Sequence, residues 1–326
     1  MRKLYLDQEQ VDCYIFGESE RISTYLYCVC VGAFESFEPS EATRDEHIPM
    51  KLLCRKSLSK YVKEMSEDWF RVSKNGIHFY EEIFSTPYPF GKFDQVFCPD
   101  YEMGAMENVG CVTYRDEYVQ RDEKYTRDKW ENIYNTILHE ISHMWFGNLV
   151  TMKWWDDLWL NESFANMISY MCMEEAKGLE DITLAWSIFL EESFWGLKTD
   201  QLDTTHPIAA DCNSTGDAED IFDGISYGKG ASWLHQLVFF FGKDVLKEGL
   251  KSYFKKYSYK NTVISDFVGE LSQAAFNLGV IKDAREMDRW ADSWLKTPGC
   301  AEIELDFKIN EEGKFSQFNV TQTCYN

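Results

Sequence analysis

Residues 136–162 read TILHEISHMWFGNLVTMKWWDDLWLNE, and this stretch decides the fold. It holds His139-Glu140-Ile141-Ser142-His143 and then, after eighteen intervening residues, Glu162. On a helix, histidines at i and i+4 stand one turn apart on one face, so both imidazoles can reach a single ion. A catalytic zinc takes three protein ligands and keeps a fourth position for water. Glu162, brought in from a following helix, completes a His2Glu set. The spacing predicts a zinc hydrolase site with His139, His143 and Glu162 around one Zn2+ ion.

Outward from this stretch, a helix is expected from Thr126, carrying Trp130, Ile133, Ile137 and both histidines and stopped by Gly147 or Asn148. A second helix, Leu160–Lys177, places Glu162 in its first turn and closes at Gly178; a third covers Asp181–Leu197. Further helices are expected at about 231–241, 243–257, 264–278 and 285–296. After Pro298-Gly299 the pattern changes to alternation through Ile303, Leu305, Phe307 and Ile309, which predicts a β-hairpin. Upstream, Ile22–Phe34 reads as a buried strand, Leu52–Phe84 as helix, and Phe93–Phe97 and Cys111–Tyr114 as strands. Between those two strands lies Gly104-Ala105-Met106-Glu107-Asn108, whose small residues permit another backbone to approach. The expected class is α+β: a small mixed sheet, then mostly helix, with partial β-modules at both ends. The boundaries fall at 1–34, 35–298 and 299–326.

Composition narrows the function. Aromatics at 16% and hydrophobics at 44% belong to a globular chain with a substantial core. Thirty-three basic against 55 acidic residues give a net charge of −22, which argues against nucleic acid and anionic membrane surfaces as partners. No stretch has the apolar length of a transmembrane segment, no signal-peptide core opens the chain, and the expected location is cytoplasmic. Ten dispersed cysteines with no C-x-x-C pair predict reduced, buried thiols and weigh against a structural cysteine zinc site.

The zinc words, taken with Gly104-Ala105-Met106-Glu107-Asn108, resemble the gluzincin aminopeptidases of the aminopeptidase N and puromycin-sensitive group. The likeness runs from Ser23-Thr24-Tyr25-Leu26 to Trp294-Leu295 and includes His143-x-Trp145-Phe146-Gly147-Asn148, Asp157-Leu158-Trp159-Leu160-Asn161-Glu162 and Tyr227-x-Lys229-Gly230. It implies a thermolysin-like (zincin) catalytic domain that hydrolyses the first bond of peptides with a free N-terminus. Glu140 would be the general base toward the water and would return the proton to the leaving amine. Tyr227 would donate to the oxyanion. Gly104, Ala105, Met106, Glu107 and Asn108 would bind substrate, Glu107 through a charge-assisted bond to the α-amine and the strand through backbone pairing.

Alternatives within the resemblance are an epoxide hydrolase like the leukotriene A4 hydrolases, and an inactive relative acting as a binding protein. The latter typically lose zinc ligands, whereas all three persist here. Val109 stands where Trp is common and Ser142 where Ala is usual. Compared with the family, most of the N-terminal β-domain and the large C-terminal helical domain have no counterpart. The chain is therefore expected to be a fragment, or a shortened protein of broadened specificity. His47, His78 and His235 read as surface or core residues, and His206 as structural.

Overall fold

The computed structural model describes residues 2–6, 9–121 and 124–324. The chain opens with an antiparallel hairpin of β1 (Arg2–Leu6) and β2 (Glu9–Cys13). An extended segment, interrupted by a 3-10 turn at Thr24–Leu26, leads to β3 (Phe34–Phe37). The buried strand expected over Ile22–Phe34 does not form. A strand needs a hydrogen-bonding neighbour, and no described strand pairs with residues 27–33.

β4 (Met50–Arg55) corrects the expected start of the next helix. Met50, Leu52 and Cys54 turn inward while Lys51 and Arg55 face water, a period of two. The period lengthens only at Val62, Met65, Trp69 and Val72, which line the buried face of α1 (Ser59–Phe84). β5 (Phe93–Cys98), the two-residue β6 (Ala105–Met106) and β7 (Cys111–Arg115) complete a sheet of order β3-β4-β5-β7-β6. β4, β5 and β7 run parallel, and each edge strand is antiparallel to its neighbour. α1 covers one face: Trp69 meets Phe97 and Tyr114 edge-on at 4.8 and 5.0 Å, and Gln95 donates to Ser73.

The remainder is helical, as expected. α2 (Arg127–His143) is followed by the short strand β8 (Val150–Met152), then α3 (Leu158–Glu175) and α4 (Ala185–Thr199). A short α5 (Thr215–Asp220) precedes a π-turn at Ile225–Lys229, which runs into α6 (Gly230–Phe241). α7 (Lys243–Tyr257), β9 (Lys260–Thr262), α8 (Ile264–Asn277) and α9 (Arg285–Leu295) come next, with β9 parallel to β8. The chain closes with the expected hairpin, β10 (Ala301–Ile309) and β11 (Phe315–Cys324). α2 stops at His143, before Gly147, because Asn148, Leu149 and Val150 reach back five residues to the carbonyls of His143, Met144 and Trp145.

α3 is buried from Leu158 to Met173, all round, as a central helix must be. It is held to α2 and α7 by an aromatic cluster in which Phe146 stacks on Phe164 at 4.1 Å and on Tyr253 at 5.6 Å. α1 joins α2 where Tyr80 donates to the Leu138 carbonyl at 2.9 Å. Only Cys54, Cys172 and Cys212 are buried among the described thiols; Cys13, Cys28, Cys30, Cys98, Cys111 and Cys300 are half-buried, contrary to expectation. Among the described residues no helix is long and apolar enough to cross a membrane.

Candidate metal centre

α2 brings His139 and His143 to one face, and the first turn of α3 brings Glu162. The two Nε2 atoms lie 2.9 Å apart, and Glu162 Oε2 lies 3.2 Å from His139 Nε2 and 3.5 Å from His143 Nε2. The outer nitrogens fix the tautomers. His143 Nδ1 is 3.0 Å from the Phe146 carbonyl, which can only accept, so Nδ1 carries the proton. His139 Nδ1 likewise donates to Asn166 Oδ1 at 2.9 Å. Both Nε2 lone pairs therefore converge with a carboxylate oxygen on one point, an arrangement that a cation satisfies.

These three residues could hold a metal ion, and the surrounding charge agrees. Glu107, Glu140 and Glu162 are all buried, and Glu140 Oε2 has no hydrogen-bond partner. Three carboxylates around two imidazoles favour positive charge at their centre, which a divalent cation can supply. In the protein alone, burial lowers the His139 pKa. Burial also opposes charge on His143, but Glu107, Glu162 and Glu140 overcome it and lift that group to about 10. Burial would raise Glu162, yet His143 and His139 hold it below the ordinary carboxylate range. Glu140 and Glu107 move the other way, pushed up first by burial and further by neighbouring carboxylates.

Gly104 to Asn108 form the sheet's β6 edge and the turn beyond it. Ala105 faces Tyr114 and Met106 faces Thr113, while the Gly104 carbonyl accepts from Arg115 N–H at 3.0 Å. Asn108 donates to Thr113 Oγ1 at 3.0 Å, and Asn148, five residues after the end of α2, donates to the Glu107 carbonyl at 2.8 Å. That bond ties the Glu107 backbone to the loop that follows α2. Gly147 has φ +120°, and a Cβ there would collide with Asn161, the residue before Glu162. Glu102 is exposed, as a surface carboxylate would be.

Tyr227 sits in the π-turn with its ring stacked 6.3 Å from that of His139 and flanked by Phe222 and Trp195. Burial and the adjacent Glu162 carboxylate keep its hydroxyl well above the usual tyrosine range. The turn is pinned from both sides. Ser163 of α3 donates to the Ser226 carbonyl at 2.5 Å, and Asp223 accepts from the Ile225 and Ser226 N–H groups at 2.8 and 3.2 Å. His206 reinforces Asp223, its Nε2 lying 3.2 Å from the carboxylate. The other histidines stay outside: His78 pairs with Asp45, His235 stacks on Trp186, and His47 is exposed.

Three site residues escaped the sequence reading. Asn166 was within reach, since it lies one helical turn after Glu162 and shares its face. Asn161 and Tyr25 stand inside words that carry the resemblance, but no role was assigned to them there. Tyr25 comes from the first 3-10 turn, and burial beside Glu107 and Glu162 pushes its hydroxyl well above the usual range.

Residues 70–296, more than half of the chain, match the model of the peptidase family M1 domain. Aminopeptidase N of Streptomyces lividans is 38% identical over 308 residues, covering 94% of this chain and 34% of that protein. Leucyl aminopeptidase of Saccharolobus solfataricus is 35% identical over 264 residues, covering 80% and 32%. Aminopeptidase Ey of Gallus gallus is 36% identical over 297 residues, covering 88% and 30%. The chain spans about a third of the length of these curated relatives. A mixed α+β fold, two histidines and a glutamate converging from α2 and α3, and these matches together place the chain in peptidase family M1.

Proposed function

We propose that this chain carries the catalytic core of a zinc aminopeptidase acting on peptides with a free N-terminus. The observation that carries the reading is Glu107, a buried carboxylate at the end of an edge strand and beside the metal-ligating cluster. An extended peptide adds to a sheet edge through its backbone, and a fixed anion at the end of that edge selects a charged amine. Gly104 and Ala105 offer the backbone, Met106 borders it, and Asn108 holds the turn in place.

His139, His143 and Glu162 would hold one Zn2+, which when bound polarises the scissile carbonyl. Glu140, with one carboxylate oxygen unpaired and a raised pKa, takes a proton from the attacking water and returns it to the leaving amine. The Tyr227 hydroxyl, held protonated by its surroundings, donates to the developing oxyanion.

The test is Glu140→Gln, assayed on a panel of amino-acid amides with zinc content measured in parallel. The variant should retain its zinc and lose turnover by about 10²–10⁴-fold. N-acetylated versions of the same substrates should resist the wild-type chain. Equal rates for Glu140→Gln and wild type would sink the mechanism, and equal cleavage of acetylated and free substrates would sink the exopeptidase assignment.

A further inference from the structure

Cys28, Cys30 and Cys111 bring their Sγ atoms within 4.8 Å of one another. Tyr27 has extended dihedrals, and from there to Val31 exposure alternates residue by residue, as it does where successive side chains point in opposite directions. Tyr27, Val29 and Val31 point outward, 71, 78 and 89% exposed, while Cys28 and Cys30 point inward with their sulphurs 3.7 Å apart. Cys111 opens β7 and is paired in register with Asp94 of β5. Cys98 closes β5 on the same sheet face, and its thiol lies against that of Cys30. The segment is fastened to the loop before β7 by Val109 N–H donating to the Leu26 carbonyl at 3.4 Å.

We propose that Cys28, Cys30 and Cys111 form a second metal site, independent of the His139–His143–Glu162 centre, that takes a soft thiophilic cation, zinc(II) foremost. Cys98 stands next to it as a candidate fourth sulphur.

Zinc–thiolate bonds of about 2.3 Å in a tetrahedron set sulphurs about 3.8 Å apart, close to the separation of Cys28 and Cys30. Thiolates select zinc or copper(I) over the hard cations that prefer oxygen. A disulfide between Cys28 and Cys30 is disfavoured, because residues i and i+2 of an extended segment lie roughly 6.6 Å apart, near the upper limit for bridging. Lys92 lies beside Cys28 and Cys111 and is itself paired with Asp94 at 2.5 Å. A cation bound by these thiols would displace their protons to solvent.

The absence of a C-x-x-C pair weighed against such a site. The fold reaches it by another route, with two cysteines from one face of an extended segment and a third from a distant strand. Tyr25 lies three residues before Cys28 and Glu107 four before Cys111. An ion held here would clamp together the two segments that deliver those side chains to the first centre.

The experiment is titration of the reduced full chain with cadmium, followed by the ultraviolet thiolate-to-cadmium charge-transfer band, which imidazole and carboxylate ligands do not produce. The band should saturate at one cadmium per chain. It should persist in His143→Ala and be lost in Cys28→Ser and Cys111→Ser, with circular dichroism confirming that each variant is folded. Zinc content should fall from two ions to one in Cys28→Ser. A reduced wild-type chain without the band overturns the proposal, as do thiols that resist alkylation until a reductant is added, the mark of a disulfide. A His143→Ala chain that keeps all its zinc would count against the first centre and leave this one standing.

Discussion

Asn166 acts on the candidate metal centre through a single hydrogen bond. By accepting from His139 Nδ1 it turns the other ring nitrogen toward His143 and Glu162. Asn166→Ala should leave the fold intact and weaken zinc affinity by about 10–100-fold in competition with a chelator. Unchanged affinity would show that the ring is oriented by packing alone. Asp157 makes a different point. Burial raises its pKa to about 6, with Asp156 and Asp266 adding to the effect, although the Ile264 N–H donates to it at 3.0 Å. A carboxyl whose folded pKa is raised favours the folded state while protonated, so its ionised form subtracts stability as pH rises from about 4 through 6. Asp157→Asn keeps the acceptor for Ile264 and removes the charge. After allowance for solvent screening, it should be about 1–2 kcal/mol more stable than wild type at pH 7.5 and equal to it below pH 4. A difference independent of pH would rule out the charge as its cause. At this scale the sequence was most legible where spacing is local: His139, His143 and Glu162 share one geometry. Tyr25 was illegible because nothing near it in the chain announces Glu107.

The elements holding Tyr227 are braced by a buried ion pair. Lys229 Nζ lies 2.7 Å from Asp200 Oδ2, and Asp200 also accepts from Thr205 and from Gly299 N–H. Lys229→Met would leave a nearly inaccessible carboxylate without its cation and should cost about 3 kcal/mol in denaturant unfolding. Adding Asp200→Asn should recover part of that loss; a cost under about 1 kcal/mol would mean the remaining donors, Thr205, Gly299 N–H and the Cys300 thiol, suffice. The long helices were readable in the sequence because burial repeats every three to four residues, as in α7 and α8. The start of α1 was misplaced because period two passes into period 3.6 within a few apolar residues. The π-turn was hidden for another reason: its bonding pattern is set by Ser163 and Asp223 from outside the turn.

Across the whole molecule, the mixed sheet could be expected, but its order could not. β4 and β5 become parallel neighbours because α1 crosses between them, β5 and β7 because the segment carrying β6 returns the chain, and no strand sequence records either crossover. The hairpin β10–β11 lies at the other extreme. Its register is set by alternation, and its side chains from Ala301 to Thr323 are all exposed. A chain ending at Cys300 retains the Gly299 contacts with Asp200 and Lys229. It should keep its metal content and melt within about 1 °C of the longer chain, since surface changes away from buried contacts stay within about 0.5 kcal/mol. A larger drop in calorimetry would reveal that the hairpin supports the helical core.

The turn at Ile225–Lys229 closes with Gly230 N–H reaching back to Ile225 O, one residue further than in an α-helix. Removing a single residue there would tighten the coil and rotate α6 by about 100° relative to the residues before the turn. Tyr227 would swing off the His139 ring even though every chemical group of the site survived. Between Asp223 and Gly230, where no residue is exposed, the chain therefore works as a gauge of length and is intolerant of a changed count.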